Sequence, residues 1–446
     1  MRYNVISCRP SFRHHHLTEW AAPNFENSPF CLTVIFLFIL GLTSSIEAQD
    51  REPPNEIQWP STEFRTIQEA IDALPVGGKL KFAPGIFRVE APIFIRKRVV
   101  LEGAGCSFEL PVRVPKGNRV QPQSIKTRPR RKFTRLVGPR PDRVVDFDRA
   151  LATFNFMGPE AGGTVKGLEV QGFDAGFAIR NGAAEPPRDA RPEPLTIIGS
   201  CASNTGRGLV VGRHLPLAVI NSAFTNSLLN GISVSLAKPF VGDSLIVLKG
   251  NFIEHAFNSC MHFENTFVIV ADTNVFQCQS GIGAINSNIL IFNTGVFAMD
   301  GPGITLVDSA GSILDNTQVN STRIYGIGLF NSGFSIYDST VTNTAPRPQD
   351  GFFGDGIDAF FSVLTVHNSL IEDSPRAGLA NFGGNVSLGD TQIKCAGYEL
   401  EGEAIFGFNF LFTDFGGNGC GCPSATGVCA AESAGIQPPE PAASIK

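Results

Sequence analysis

The runs ILIFNTGV (residues 289–296) and SILDNTQV (residues 312–319) align residue for residue, and their reading decides the fold. Each is a short apolar segment, then Asn-Thr, then a spacer and one apolar residue. Upstream, LTIIGSCA, LAVINSAF, LIVLKGNF and FVIVADTNV follow the same frame. Taking one apolar anchor per unit gives Ala202, Phe224, Phe252, Val275, Val296, Val319, Val341, Ile371 and Ile393, with steps of 22, 28, 23, 21, 23, 22, 30 and 22. A second series opens the following strand: Leu209, Ile232, Met261, Ile282, Ile304, Ile327, Ile357 and Leu379. The long steps of the two series coincide and contain insertions, 238–243 (KPFVGD) and 345–353 (APRPQDGFF). The repeat is 22 residues, and a repeat must be settled before any local reading.

Three residues before each anchor, Asn or Asp is followed by Ser or Thr: Asn221-Ser222, Asp272-Thr273, Asn293-Thr294, Asn316-Thr317, Asp338-Ser339, Asn368-Ser369 and Asp390-Thr391. Asn and Asp tolerate left-handed φ and bond their own backbone, so each pair predicts a tight turn. Before each turn the apolar residues alternate, as in Val268/Val270, Ile289/Ile291 and Leu364/Val366. A period of two means strands, not helices. Strands of three to five residues cannot bury a face alone. Stacked coil on coil at about 4.8 Å they form a continuous core, with each strand paired above and below. A leucine-rich repeat has a similar period, but its Leu-x-x-Leu-x-Leu-x-x-Asn frame is absent, and a propeller blade would need about twice the length. The chain is therefore expected to be all-β: a single-stranded right-handed parallel β-helix solenoid with an N-terminal capping helix.

That helix is expected at about 65–74. Thr66 and Glu69 make a capping box, and Ile67, Ala70, Ile71 and Leu74 share one helical face. The cap, the following strands, the "APG" turn (83–85) and "LEGAG" (101–105), with 22-residue coils after them, resemble the pectin-lyase-like right-handed parallel β-helix superfamily over about 61–395. The resemblance implies the fold. It implies no single chemistry, since that superfamily includes lyases, glycoside hydrolases, esterases, epimerases, tailspikes and proteins without known catalysis. The polygalacturonase-like motifs have only Gly354-Asp355-Gly356-Ile357-Asp358 as a partial match, and the esterase-like and epimerase-like motifs have no counterpart.

Candidate chemistry then rests on the repeat, because equivalent positions stack in register. One residue past the second anchor, Ser233, His262, Gly283, Thr305, Gly328, Asp358 and Ala380 should all point outward. His262 and Asp358 lie four coils apart, roughly 19 Å, too far to share a proton. Glu264 flanks His262, with Glu254 and His255 on the same coil: an acid–base group, or polar residues on one surface coil. Asp355 and Asp358, beside the insertion, suit a carboxylate pair or Ca²⁺, or simply a turn that uses Asp. Asp300 and Arg323 are expected at equivalent positions on neighbouring coils, as sugar-carboxylate contacts or a stacked ion pair. No further metal ligand set is identified, and no cofactor is assigned beyond that Ca²⁺ reading.

Charge is uneven. Residues 113–149 hold twelve Lys/Arg against Asp142, Asp146 and Asp148, a net of +9, which leaves −14 on a chain of net −5. Arg128, Arg130, Arg131 and Lys132, with Arg135, are the densest part and are candidates for binding uronate or sulfate groups, arginine suiting two-pronged contact. The competing reading is a solvated loop attracted to the acidic body. Segments 183–194 and 238–243 follow the same strand with one uninserted coil between them, and should project from one flank. Outward by alternation, Ile285, Val307, Phe330, Phe360 and Phe382 form an apolar stripe. The alternating Phe406, Phe408, Phe410 and Phe412 are expected to lie across it or to cap the last coil.

Leu32–Leu42 (LTVIFLFILGL), followed by Thr43-Ser44-Ser45 and Ala48, reads as an export signal or an uncleaved anchor too short to span a bilayer comfortably. Eight cysteines follow it, an even number that permits disulfides in an exported chain; Cys420, Cys422 and Cys429 suit a stapled tail better than a metal, having no histidine nearby. The expected organisation is an N-terminal extension with the signal (1–48), a β-helix (49–397, with a basic insertion at about 107–135) and a Phe-rich strand with a Cys-rich tail (398–446). The expected protein is secreted, periplasmic or at the cell surface, and monomeric. It binds or acts on an acidic polysaccharide, lyase- or hydrolase-like if it is an enzyme, and not on nucleic acid. The alternative is a non-catalytic surface, structural or adhesive β-helix.

Overall fold

The structure, a computed structural model, describes residues 55–107, 129–139, 152–180, 192–236 and 245–438. Within them the chain is almost entirely β, with a single helix, Ile67–Ala73. The strands form three parallel sheets. Sheet A has 14 strands, from Glu56–Trp59 to Leu411–Asp414. Sheet B has 13, from Gly85–Arg88 to Gly419–Gly421, and sheet C has 13, from Ile93–Ile95 to Ala431–Glu432. Each coil contributes one strand to each sheet in the order A, B, C, so a neighbour in a sheet is one coil away in sequence. This is a parallel β-helix solenoid, and its interior is one continuous apolar cluster from Ile67 to Cys420.

The recurring turn pairs explain the A-to-B corner. Asn221, Asp272, Asn293, Asn316, Asp338, Asn368 and Asp390 all have φ between 47° and 51°, the left-handed region these residues tolerate. The hydroxyl that follows bonds in two directions. Thr317 Oγ1 donates to the Asp315 carbonyl (3.0 Å) and accepts from the Thr294 amide one coil away (3.3 Å), and Ser339 and Ser369 continue the ladder. The corner thus satisfies backbone groups that no strand can reach.

Inside, Leu209, Ile232, Met261, Ile282, Ile304, Ile327, Ile357 and Leu379 stack rung on rung as the repeat predicts. The first anchor series does so with one exception. Phe224 pairs with Ile253, and Ile253 with Val275, so Phe252 is not a core rung. It turns outward, where its ring lies 5.5 Å from Phe276, itself 5.1 Å from Phe297. With two adjacent apolar residues after an insertion, spacing alone could not say which faces in.

The helix is built as its sequence suggests. Thr66 Oγ1 accepts from the Glu69 amide (3.1 Å), while Glu69 Oε2 accepts from the Arg65 amide (2.7 Å), one residue short of the reciprocal capping bond. Ile67, Ala70 and Ile71 are buried, and Gln68 exchanges two hydrogen bonds with the Phe94 backbone.

At the other end the ladders run past residue 397. Tyr398–Glu403, Leu411–Asp414, Gly419–Gly421 and Ala431–Glu432 add rungs to sheets C, A, B and C. The segment expected as one alternating strand divides in two. Ile405 to Phe408 is a two-residue turn closed by reciprocal backbone bonds, and only Phe412 packs against the core. Disulfides join Cys106–Cys201, Cys260–Cys278, Cys395–Cys422 and Cys420–Cys429.

Candidate functional site

The outward face of sheet C carries the chemistry. Two residues are decisive at each rung. The first, just before the second anchor, is glycine on almost every coil: Gly208, Gly231, Gly281, Gly303, Gly326, Gly356 and Gly378. A Cβ there would lie within 2.2–2.4 Å of a backbone or side-chain atom at Gly208, Gly231, Gly281, Gly326 and Gly378, and 2.5 Å at Gly303 and Gly356. At these seven positions glycine lets the neighbouring coil approach this closely. The second, just after the anchor, is the predicted column Ser233, His262, Gly283, Thr305, Gly328, Asp358 and Ala380, which the structure extends to Glu401. Its small members leave a trough, which opens as a cleft of about 360 Å³. His262 and Thr305 lie on its floor, Ile285 and Val307 on one wall, Asp300 and Arg347 on the other, and Tyr325 at one end.

Two neutral proton carriers face this cleft. His262 is buried, its Nδ1 has no hydrogen-bond partner, and burial pulls its pKa down against the opposing pull of Glu264. Glu264 is engaged by the Ser235 hydroxyl at 2.6 Å. Tyr325 is fully buried, and its hydroxyl lies 3.2 Å from Thr305 Oγ1. Burial raises its pKa, so it stays a phenol. Its ring crosses the face of Gly328, where a Cβ would meet it at 2.4 Å. Two rungs, about 10 Å, separate His262 from Thr305, the partner of that hydroxyl.

Beyond Tyr325 lies a second group, closed from above. Asp355 is fully buried and gripped by one edge of the Arg376 guanidinium, Nε at 2.7 Å with Nη2 beside it, and by the Ala377 amide at 3.1 Å. Asp358 is equally buried but accepts no hydrogen bond, and its nearest Arg376 nitrogen is 3.9 Å away. Burial first, and the Asp355 charge second, push its pKa well up. Glu401, two rungs on, is pushed up to about 8 by burial and by Glu403. The chain end straps this group: Ser433 and the Gly435 amide bond Glu403, and Arg376 donates to the Gln437 carbonyl at 2.8 Å. Ile436 packs over Ala377, Ala380 and Phe382.

The structure therefore separates residues that the sequence grouped. His262 and Glu264 stand on sheet C, but Glu254 and His255 pair with each other at 3.5 Å on sheet B. Asp300 and Arg323 are not equivalent. The Arg323 amide bonds the Gly301 carbonyl, which offsets the two, and no ion pair joins them among the described residues. Asp355 and Asp358 do come together, facing a guanidinium, and no group of three or more metal-ligating side chains occurs among the described residues. Arg128 and most of the basic insertion lie outside the described residues, as does the N-terminal segment with its expected signal. Arg130, Arg131 and Lys132 are exposed. Arg135 instead forms a strand residue paired with buried Glu169 at 2.9 Å. The expected projections at 183–194 and 238–243 lie mostly outside the described residues; the strands before them, Ala175–Arg180 and Ile232–Ser235, belong to sheet C with one coil between them. Tyr325 was not anticipated. The sequence signal for it is an aromatic residue two before the second anchor, where other coils place Ser259, Ser280 and Pro302.

Neither family models nor curated protein sequences match the chain. Solved structures do. A tailspike protein 2 from an Escherichia coli bacteriophage has a TM-score of 0.50 at 10% identity, covering 71% of this chain and 42% of the tailspike. The A-module of an Azotobacter vinelandii mannuronan C-5 epimerase gives 0.48 at 14%, covering 80% of this chain and 94% of that module. An α-1,3-glucanase catalytic unit from Streptomyces thermodiastaticus gives 0.41 at 13%, covering 79% and 64%. No helix among the described residues is long and apolar enough to cross a membrane. At these identities the likeness speaks for architecture alone, and it agrees with the three parallel sheets: the chain is a right-handed parallel β-helix.

Proposed function

We propose that this is an exported β-helix protein that binds and acts on an acidic polysaccharide in the sheet C cleft. The helix Ile67–Ala73 serves as the cap of the first coil. The observation that carries the reading is a trough of small residues with a neutral, buried histidine on its floor and a buried tyrosine hydroxyl beyond it. An elongated cleft suits a chain-like ligand. Neutral His262 suits proton abstraction beside a uronate carboxylate, and Arg347, itself paired with Asp350, places a guanidinium on the cleft wall for that carboxylate to approach. In such an elimination the proton on the carbon next to the carboxylate passes to His262. The glycosidic C–O bond on the neighbouring carbon breaks, and the leaving oxygen takes the Tyr325 proton. A hydrolase with two carboxylates is less well served here, since Asp300 is the carboxylate on the cleft wall and Asp355 and Asp358 lie outside it. The second reading, a non-catalytic adhesive or structural β-helix, draws on the strap that closes Asp355 and Asp358 from solvent.

The test is to incubate the mature chain with polygalacturonate, alginate and a neutral glucan, reading unsaturated-product absorbance and reducing ends. The reading expects turnover of a uronate polymer that falls about 10²-fold or more in both His262→Ala and Tyr325→Phe. Turnover unchanged in both variants, or no binding of any uronate polymer, would overturn it.

A further inference from the structure

The C-to-A corner of sheet C holds a column of left-handed residues: Asn265, Asn286, Asp308 and Asn331, with φ between 48° and 56°. On the next coil the same position is Phe361, φ 46°. The turn itself is unchanged. Ser362 follows it and bonds the Ser332 amide (3.0 Å) and the Phe360 carbonyl (2.8 Å), as the other corner hydroxyls do. So a bulky aromatic occupies a conformation that costs it strain and that Asn would accept freely. A second phenylalanine repeats the anomaly nearby. Phe406 (φ 51°) and Gly407 (φ 83°) form the two-residue turn between Ile405 and Phe408, where Asn-Gly is the favoured pair.

These phenylalanines converge. The Phe361 ring lies 4.3 Å from Phe360, 5.2 Å from Phe408 and 6.2 Å from Phe406. Gly383, on the next coil, clears space for them, since a Cβ there would lie 3.0 Å from the Phe361 ring and 3.2 Å from Phe408. The packing does not hide the rings. Phe406 is 83% exposed and Phe408 61%. Strained backbone that holds aromatic faces toward solvent calls for a ligand, because folding alone gains nothing from it.

The platform also lies on the row that lines the cleft. Ile285 and Val307 line the cleft wall, Phe330 follows in the same row as a buried rung, and Phe360 comes next beside the platform. The distance from Val307 to Phe361 is two rungs, about 10 Å, the length of about two sugar units. We propose that Phe361, Phe406 and Phe408 form a saccharide-stacking subsite, where the C–H faces of sugar rings leaving the cleft lie on aromatic rings. This rests on the reading of the cleft as a polysaccharide site and extends it to longer chains.

Affinity electrophoresis of the full chain through gels containing polygalacturonate or alginate tests the subsite, alongside thermal unfolding and turnover of short uronate oligomers. Phe406→Asn is expected to raise Tm, since Asn-Gly suits this turn, yet to weaken retardation by the polymer several-fold. Phe408→Ala should weaken it likewise, with turnover of short oligomers unchanged in both. Wild-type retardation in both variants overturns the proposal. So does a change of oligomeric state at unchanged polysaccharide affinity, which would make the platform a contact between copies. If no uronate polymer is turned over but retardation still depends on Phe406, the subsite stands and the cleft chemistry falls.

Discussion

Gly303→Ala isolates what the glycine ladder contributes. The new Cβ would sit 2.5 Å from the Gly326 carbonyl oxygen, 2.7 Å from Val319 Cγ1 and 2.9 Å from Thr322 Cγ2. The methyl cannot rotate away, because two of these neighbours are core or corner side chains and the third is backbone. A carbon–oxygen contact needs about 3.3 Å, so the coils must part by about 0.8 Å. That opening strains the inter-coil bonds from Gly303 N to Tyr325 O (3.2 Å) and from Arg323 N to Gly301 O (2.9 Å). Overpacking costs about 1–3 kcal/mol, and two weakened hydrogen bonds add up to about 1 kcal/mol each, so the loss should be about 2–4 kcal/mol. Urea unfolding followed by circular dichroism should show a lower midpoint at unchanged slope. Gly333→Ala is the control: its Cβ would have no neighbour nearer than 3.6 Å and its φ is not left-handed, so stability should hold or rise by about 0.4–1 kcal/mol. A Gly303→Ala protein within about 0.5 kcal/mol of wild type, or a control equally damaged, would refute the close-approach argument.

Titration and the buried ion pair give two further expectations. The folded pKa of Asp358 lies above its unfolded value, so the folded state keeps a proton that the unfolded chain releases, and stability falls as pH climbs from about 4. Glu401, at about 8, acts with the same sign, so Tm should be lower at about pH 8 than at about pH 5. Asp358→Asn should flatten that fall, and an unchanged slope would remove Asp358 from the account. Arg376→Ala leaves the Asp355 carboxylate buried without its cation and should cost about 3–5 kcal/mol in urea unfolding. The double variant with Asp355→Asn should recover part of that loss, and equal destabilisation of both proteins would count against the pairing.

The repeat made the solenoid legible because each coil reports the same two facts, a left-handed turn residue and an inward apolar one. Where two apolar residues adjoin, as at Phe252 and Ile253, the sequence leaves the choice open, and outward stacking on Phe276 settles it. Alternation also placed His262 and Asp358 in one column. It could not show that both are buried, because their cover comes from segments distant in sequence: the 345–353 insertion beside the cleft and the strap ending at Gln437. The glycine before the second anchor recurs on every coil of the series but that of Met261, where Cys260 stands. Its meaning depends on how near the next coil comes, which no single-residue pattern conveys. Tyr325 escaped for a related reason. Its role follows from the space left by Gly328 on its own strand.

The last coil deserves reading as the end of a polymer. Three parallel ladders that stop in solution expose rows of unpaired amides and carbonyls, and each row is a seed onto which another strand can add. Here the closing strands shrink to Leu411–Asp414, Gly419–Gly421 and the two residues Ala431–Glu432. Cys395–Cys422 and Cys420–Cys429 knot the chain into loops of 27 and 9 residues at that spot. Short, looped-back strands give an incoming chain little to copy. The two disulfides thus hold these rungs short and folded back, and reduction is expected to lengthen the exposed strand edges, which light scattering of the reduced protein would register as growth in size.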